Sequence, residues 1–429
     1  MRERVHIVGV GGVGMSALAQ ALLDSGAEVS GSDRLLDSGG GTPVLETLAA
    51  QGVALFPQDG SGVLAGVGRV VISSAIESDN PELMRAAELK IPVEHRAVAL
   101  ARVVAGRELV AVTGTCGKSS VTAMLGVILE GCGFDPLVVN GAAVIGWSAG
   151  GGRIGSVRSG RGVAVIEADE SDKSLMAFKP DHAIITNASA DHFDMRETLG
   201  LFDAFRGRVA GHVIDGISEG DALGQVEIKG WESRFVHDGV QYKVPLPGMF
   251  NVHNAAHAVR MALALGADAG DVAAALSAFK GIERRLQLIG YCNQAAVIDD
   301  YAHNPEKLKA AWQTLSAVFP GGICGLWRPH GYTPLRKMMD ELVEVFAAVC
   351  GVEDTLLLLP VYDAGGSATR DVSSADLAFK LAGKGVKVEL VNDLKAAEVR
   401  MRELSAEKGA LVCFGARDPG LPQLAAELV

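Results

Sequence analysis

Several protein classes are excluded by what this sequence of 429 residues lacks. Its six cysteines, Cys116, Cys132, Cys292, Cys324, Cys350 and Cys413, form no C-x-x-C pair and are too scattered for a secreted disulfide scaffold. They read as reduced thiols of a cytoplasmic protein. Long basic runs are missing, and 39 Lys+Arg against 51 Asp+Glu give a formal charge of −12. Nucleic acid is therefore not an expected partner. Proline is sparse, 15 against 53 glycines, as suits many tight turns between packed elements. No fixed-period repeat or low-complexity tract occurs. The stretch from Val5 to Leu23 contains no Asp, Glu, Lys or Arg, yet Gly9, Gly11, Gly12 and Gly14 interrupt it early. A buried strand turning into a helix fits that text better than a membrane span or signal peptide. What remains, 48% hydrophobic and 21% charged, is a globular composition, and at ~150 residues per domain the length suggests about three domains.

The chain alternates short apolar runs with helical text, which predicts α/β architecture with parallel sheets. A first block, residues 1–105, contains VHIVGV, SALAQALLDSG, EVSGSD, RVVISSAI, NPELMRAAEL and IPVEH. A second, residues 106–290, opens at ELVAVTGT and ends with the Ala-rich helix FNVHNAAHAVRMALALG and the text DVAAALSAFKGIERR. A third, residues 291–429, has strands AAVIDDYA, GICGLW, TLLLLPVY, VKVELV and ALVCFGA. The expected fold is three α/β domains in series.

Two glycine turns carry the first chemical signals. Gly9-Val-Gly11-Gly-Val-Gly14 lies between a strand and a helix, and Asp33 closes the next strand. That pattern lets backbone approach a diphosphate at a helix N-terminus while a carboxylate takes a hydroxyl. A dinucleotide-dependent oxidoreductase would share it. Thr113-Gly-Thr-Cys-Gly-Lys-Ser119 departs from the strict P-loop at Val112 but keeps its physical parts. Backbone amides can cradle phosphates, Lys118 can offset their charge, and Ser119 can ligate Mg²⁺. A second nucleotide site of this kind points to phosphoryl chemistry with ATP. Glu167-Ala-Asp-Glu170-Ser-Asp172 and Thr186-Asn-Ala-Ser-Ala-Asp-His192 follow at strand ends, where α/β sheets gather ligands and a hard cation finds oxygen donors. Asn251 and Asn254, Arg284-Arg285 and Asp299-Asp-Tyr-Ala-His-Asn-Pro305 are further polar clusters, with helix caps and a surface basic pair as their simpler readings.

Taken together and in order, GVGGVGMSALA, SGSD, VVISSAIESDNPEL, VTGTCGKSSVTAM, VNGA, EADESDKS, ITNASADHFD, FNVHNAAHA, ERR, DDYAHNPEK and RPHGYTPLR resemble the Mur ligase family, most closely its alanine-adding branch. The resemblance implies an N-terminal UDP-substrate domain, a central ATPase domain and a Rossmann-like C-terminal domain. It also implies ATP-dependent amide-bond formation between the carboxylate of UDP-N-acetylmuramate and an amino acid, through an acyl phosphate, in peptidoglycan precursor synthesis. By the same resemblance, Lys118, Glu167 and His192 are catalytic and Ser119, Glu167 and His192 hold Mg²⁺. ATP would meet Gly114, Thr115, Gly117, Lys118, Ser119, Ser120, Asn251, Asn254, Arg285 and Asp300. The other substrates would meet Gly11, Gly12, Val13, Gly14, Ser32, Asp33, Ser73, His303 and His330.

The text departs from the family in four places. Cys116 stands where the alanine-adding branch has His, and Gly331 where it has Arg, with Arg328 or Arg336 as candidates to replace that charge. FGARDPGL, containing Ala416-Arg417-Asp418, replaces a glycine-rich ending. The segment between His192 and Pro247 is short and lacks the branch's strand-and-acidic-turn text. Alternatives are a recycling ligase that adds a tripeptide to the same sugar nucleotide, and a repurposed nucleotide-binding homologue.

Overall fold

The computed structural model describes residues 2–37, 39–148, 152–189, 193–218, 223–363 and 369–429. It is an α/β protein. Strands β1 (Arg4–Val8), β2 (Glu28–Ser32), β3 (Ala54–Phe56), β4 (Arg69–Ile72) and β5 (Val93–His95) form a parallel sheet of order β3-β2-β1-β4-β5. A second sheet contains β6 (Leu109–Thr113), β7 (Leu137–Val139), β8 (Val157–Arg158), β9 (Ala164–Glu167), β10 (His182–Ile185) and β11 (Val213–Asp215), ordered β11-β10-β6-β9-β7-β8. Its central strand β6 is buried along its whole length, because helices cover both faces of such a sheet and leave no polar side for alternation. The sheet order puts β6 between β9 and β10, with Val112 opposite both Glu167 and Ile184. Three stretches of chemistry-bearing text, far apart in sequence, therefore leave the sheet side by side.

Beyond β12 (Glu227–Lys229) come β13 (Glu232–His237) and β14 (Val240–Val244), which pair antiparallel with Phe235 against Tyr242. The expectation that residues 193–246 lack strand text is thus corrected. HDGV forms a short turn between alternating residues, with Asp238 at φ 49° and Gly239 at φ 77°. Helix Met195–Arg206, capped by the Asp194 side chain on the Glu197 amide, also lies in this segment.

The last sheet holds β15 (Gln287–Cys292), β16 (Ala295–Asp300), β17 (Ile323–Trp327), β18 (Thr355–Leu358), β19 (Val388–Leu390) and β20 (Ala410–Phe414), in the order β15-β16-β20-β17-β18-β19. Only β15 runs antiparallel, pairing Gln287 with Asp299. A cut between residues 290 and 291 would sever this hairpin, so the expected boundary shifts upstream. Contacts divide the chain into two compact units. One comprises Met1–Glu227, Ser233–Pro245 and Met249–Lys280, and the other Ile228–Glu232, Leu246–Gly248 and Gly281–Val429. The first two sheets share the first unit, so residue 105 marks a change of sheet rather than a break in compactness. No helix among the described residues is long and apolar enough to cross a membrane.

Candidate active site

In the first unit, β6 ends at the buried Thr113 and the chain enters helix Lys118–Gly131 through a turn with Gly114 at φ 127° and Gly117 at φ 88°. Both conformations need glycine. Space needs it as well, since a Cβ on Gly114 would collide with Thr186 and one on Gly117 with Asn254. The segment after β10 braces the turn. Cys116 N–H donates to Asn187 Oδ1 (2.9 Å), while Thr186 Oγ1 (2.6 Å) and Asn187 Nδ2 (2.9 Å) donate to the Cys116 carbonyl. Ser189 N–H donates to Thr115 Oγ1 at 3.0 Å. These bonds hold the loop through its backbone and through Thr115.

Lys118 and Ser119 open the helix and face the carboxylates that follow β9. Lys118 Nζ donates to Glu170 Oε2 (2.6 Å) and the Gly114 carbonyl (2.9 Å), with both charged side chains largely buried. Burial acts to lower the Lys118 pKa, but the charges of Glu170, Glu167 and Asp169 outweigh it and raise the value. The ammonium is therefore held in its charged form. Ser119 Oγ and the Gly141 amide both donate to Glu167 Oε2 at 2.8 Å. A hydroxyl beside a carboxylate at a phosphate cradle is an all-oxygen donor pair that fits Mg²⁺, which takes few protein ligands and completes its shell with phosphate and water. His192 lies outside the described residues. Ser120 is half-buried one residue further along the helix, while Asn251 and Asn254 are both buried. The close approach of Asn254 to Gly117 sets it against the phosphate turn.

The turn after β1 is built differently. Gly11 N–H donates to Asp33 Oδ2 at 2.9 Å, and the other Asp33 oxygen accepts from the Leu35 amide at 3.1 Å. Asp33 thus braces the glycine turn. Ser32 is fully buried and its hydroxyl donates to Glu82 Oε2 at 2.5 Å. Gly12 caps helix Val13–Asp24, whose first residue Val13 is exposed, and Ser73 is half-buried after β4. Arg96 was not singled out by sequence reasoning. It lies where a Cβ on Gly14 would come within 3.2 Å of its Nη1, and its Nη2 is 3.5 Å from Asp169. Its neighbour His95 is 3.5 Å from Asp172. The text EHRAV resembles any helix start, so no local signal marks either residue.

In the second unit, the Asp300 carboxylate braces a turn. Its oxygens accept from the Leu286 amide (2.7 Å) and the Ala302 amide (2.8 Å), and so fix the turn that carries Arg285. Tyr301 lies between Arg284 and Arg285, with guanidinium carbons 5.1 and 5.2 Å from its ring centre. Arg284 pairs with Asp299 at 3.2 Å, and burial still pushes the Asp299 carboxyl up to about 6. His303 and His330 meet edge to face at 4.9 Å. Burial first, then neighbouring cations, depress both to about 4, so both imidazoles are neutral near pH 7. Arg328 and Arg336, the candidates to replace the charge absent at Gly331, are both ion-paired. Arg328 pairs with Asp418 at 2.5 Å and Arg336 with Asp371.

Comparison with known proteins identifies the family. The model of the Mur ligase family, catalytic domain, matches residues 4–108, and that of the Mur ligase, glutamate ligase domain, matches residues 284–417. A UDP-N-acetylmuramate–L-alanine ligase of Rhizobium etli is 32% identical over 89% of this chain and 87% of its own. The enzyme of the same name from Paenarthrobacter aurescens is 33% identical over 97% and 94%. Among solved structures, UDP-N-acetylmuramate-alanine ligase from Thermotoga maritima superposes with a TM-score of 0.81 at 25% identity, covering 99% of this chain and 98% of that one.

Proposed function

This chain belongs to the Mur ligase family and is an ATP-dependent ligase of peptidoglycan precursor synthesis; we propose that it joins UDP-N-acetylmuramate to L-alanine. The observation that carries this reading is the phosphate turn with Lys118, Ser119 and Glu167 converging at the ends of β6 and β9. We assign three functional domains, with boundaries near residues 105 and 281. Arg285, Asn251 and Asn254 serve the nucleotide, and the neutral histidines of the second unit serve the acceptor.

The chemistry follows from charge. The muramate carboxylate attacks the γ-phosphoryl of ATP, giving ADP and an acyl phosphate; the amino acid's amine then attacks the acyl carbon and expels inorganic phosphate. Neither step needs a protein nucleophile, so this chain's contribution is positioning and charge stabilisation. The amides at the start of helix Lys118–Gly131 cradle phosphate oxygens. Lys118 moves from Glu170 to the transferring group as ATP enters. Ser119 and Glu167 would hold Mg²⁺, which when bound offsets phosphate charge. The turn from Gly9 to Gly14, braced by Asp33, takes the sugar nucleotide's diphosphate. These substrates, ATP and a sugar nucleotide, place the protein in the cytoplasm.

The test is phosphate release with ATP and UDP-N-acetylmuramate across L-alanine, glycine, L-serine and a cell-wall tripeptide. Highest kcat/KM with L-alanine is expected. Preference for the tripeptide would move the enzyme to the recycling branch, and release with no acceptor would overturn the ligase assignment.

A further inference from the structure

Position 331 is glycine, and its backbone gives a reason. At φ 157° and ψ 159° it caps helix Tyr332–Val349 in a conformation that side chains rarely adopt. Its turn follows β17, which lies beside β20 with Trp327 opposite Phe414. The two chains stay together as they leave the sheet, since Arg328 N–H donates to the Phe414 carbonyl at 3.3 Å. Residues 328–331 and 415–418 therefore form neighbouring turns at one sheet end, on the central strands where ligands of open α/β sheets bind.

Other cations here are engaged. Arg328 is held by Asp418 and the Pro360 carbonyl, Arg336 by Asp371 and the Thr369 carbonyl, and Arg370 by Asp363. Arg417 is exposed and makes no side-chain hydrogen bond or ion pair among the described residues. Its charge reaches His330, helping to keep that imidazole neutral. His330 Nδ1 is buried without a hydrogen-bond partner among the described residues. His303 Nδ1 faces the Tyr301 carbonyl at 2.9 Å. A carbonyl only accepts, so Nδ1 carries the proton and Nε2 is left as an acceptor. An unengaged cation in the turn next to that of His330, with Lys307 also bearing on both uncharged imidazoles, suits a zwitterion: the cation attracts a carboxylate, and the imidazoles accept from an amine without repelling it.

We propose that Arg417 binds the α-carboxylate of the acceptor amino acid, supplying from the turn after β20 the charge that the glycine turn after β17 does not carry. His330 stands beside it as a hydrogen-bond partner of the acceptor's amine. This assignment rests on the ligase reading above and adds a specificity-determining residue to it.

The experiment compares L-alanine with L-alaninamide, which lacks the carboxylate charge, in the full-length enzyme and in Arg417→Gln and Arg417→Lys. Wild type should favour L-alanine by about 30-fold or more in kcat/KM, as a site built for a charged group rejects its neutral analogue. Arg417→Gln should raise the KM for L-alanine about 10- to 100-fold, leave L-alaninamide and ATP within about twofold, and so erase the preference. Arg417→Lys should fall between them, because a point charge replaces a two-pronged one. An unchanged L-alanine KM in Arg417→Gln, or a rise in the ATP KM instead, would overturn the assignment while leaving the ligase reading standing. Wild-type enzyme that releases no phosphate with any acceptor would overturn both.

Discussion

The two glycine turns of the first unit share a plan, strand to turn to helix N-terminus, and differ in what surrounds it. After β1, the acid Asp33 is spent on the turn's own backbone, Val13 is exposed at the helix start, and Arg96 stands over Gly14. After β6, the turn's backbone is braced mainly by neutral groups, Asn187 and Thr186, with one bond from Lys118 to the Gly114 carbonyl, and the carboxylates of Glu167 and Glu170 face Ser119 and Lys118 instead of the turn's amides. The first arrangement suits holding a diphosphate that does not react. The second suits a phosphoryl group whose charge must be managed as it moves. The same loop geometry thus serves grip or transfer according to whether its carboxylates brace or act.

Variants can break that contrast, and the largest effect is expected at Lys118. Lys118→Ala should lower the rate of phosphate release by about 10³-fold or more, with the UDP-N-acetylmuramate Kd unchanged by calorimetry. Comparable turnover in that variant would remove the transfer role from the second turn. Gly114→Ala should destabilise the protein by about 1–3 kcal/mol in denaturant melts, from positive φ and collision with Thr186. Gly12→Ala, with φ −65° and its nearest neighbour the Gly9 carbonyl at 3.3 Å, should fold nearly normally and impair sugar-nucleotide binding instead. A reversal of that pair would show that backbone strain does not separate the turns. Asp33→Asn keeps the shape but weakens a charge-assisted bond to Gly11. Its KM for UDP-N-acetylmuramate should rise about 10-fold while the ATP KM holds. The smallest change, about three- to fivefold in the same KM, is expected from Arg96→Ala, since the side chain is partly solvated and already shared with Asp169. A larger effect on ATP than on the sugar nucleotide would assign Arg96 to the other turn.

Legibility followed locality. The two turns, the strand-end carboxylates and most strands of the last sheet could be read because glycine spacing and apolar runs are written in neighbouring residues. The hairpin β13–β14 was missed because ESRFVH and VQYKV carry charged residues on their exposed face and lack a long apolar run. Asp33 was read as a ligand contact from its spacing after the glycine turn, and Ser32 and Asp300 from the family resemblance. Where their oxygens go depended on Glu82, the Gly11 amide and the Leu286 amide, and no spacing rule reports those partners. Arg96 left no local trace, because its importance comes from packing against a helix that begins at Val13.

The sequence by itself determined the α/β class, the two glycine turns and the family, since each rests on periodicity, glycine positions or ordered motifs within short windows. Only the tertiary structure decided which carboxylates brace the amides of their own turns and which face Lys118 and Ser119, that Arg328 and Arg336 are already paired, and that Arg417 is exposed in the turn next to that of His330. The physical reason is range. Backbone conformation is dictated by a residue and its neighbours, whereas the availability of a charge depends on every group that folding brings within a few ångströms of it.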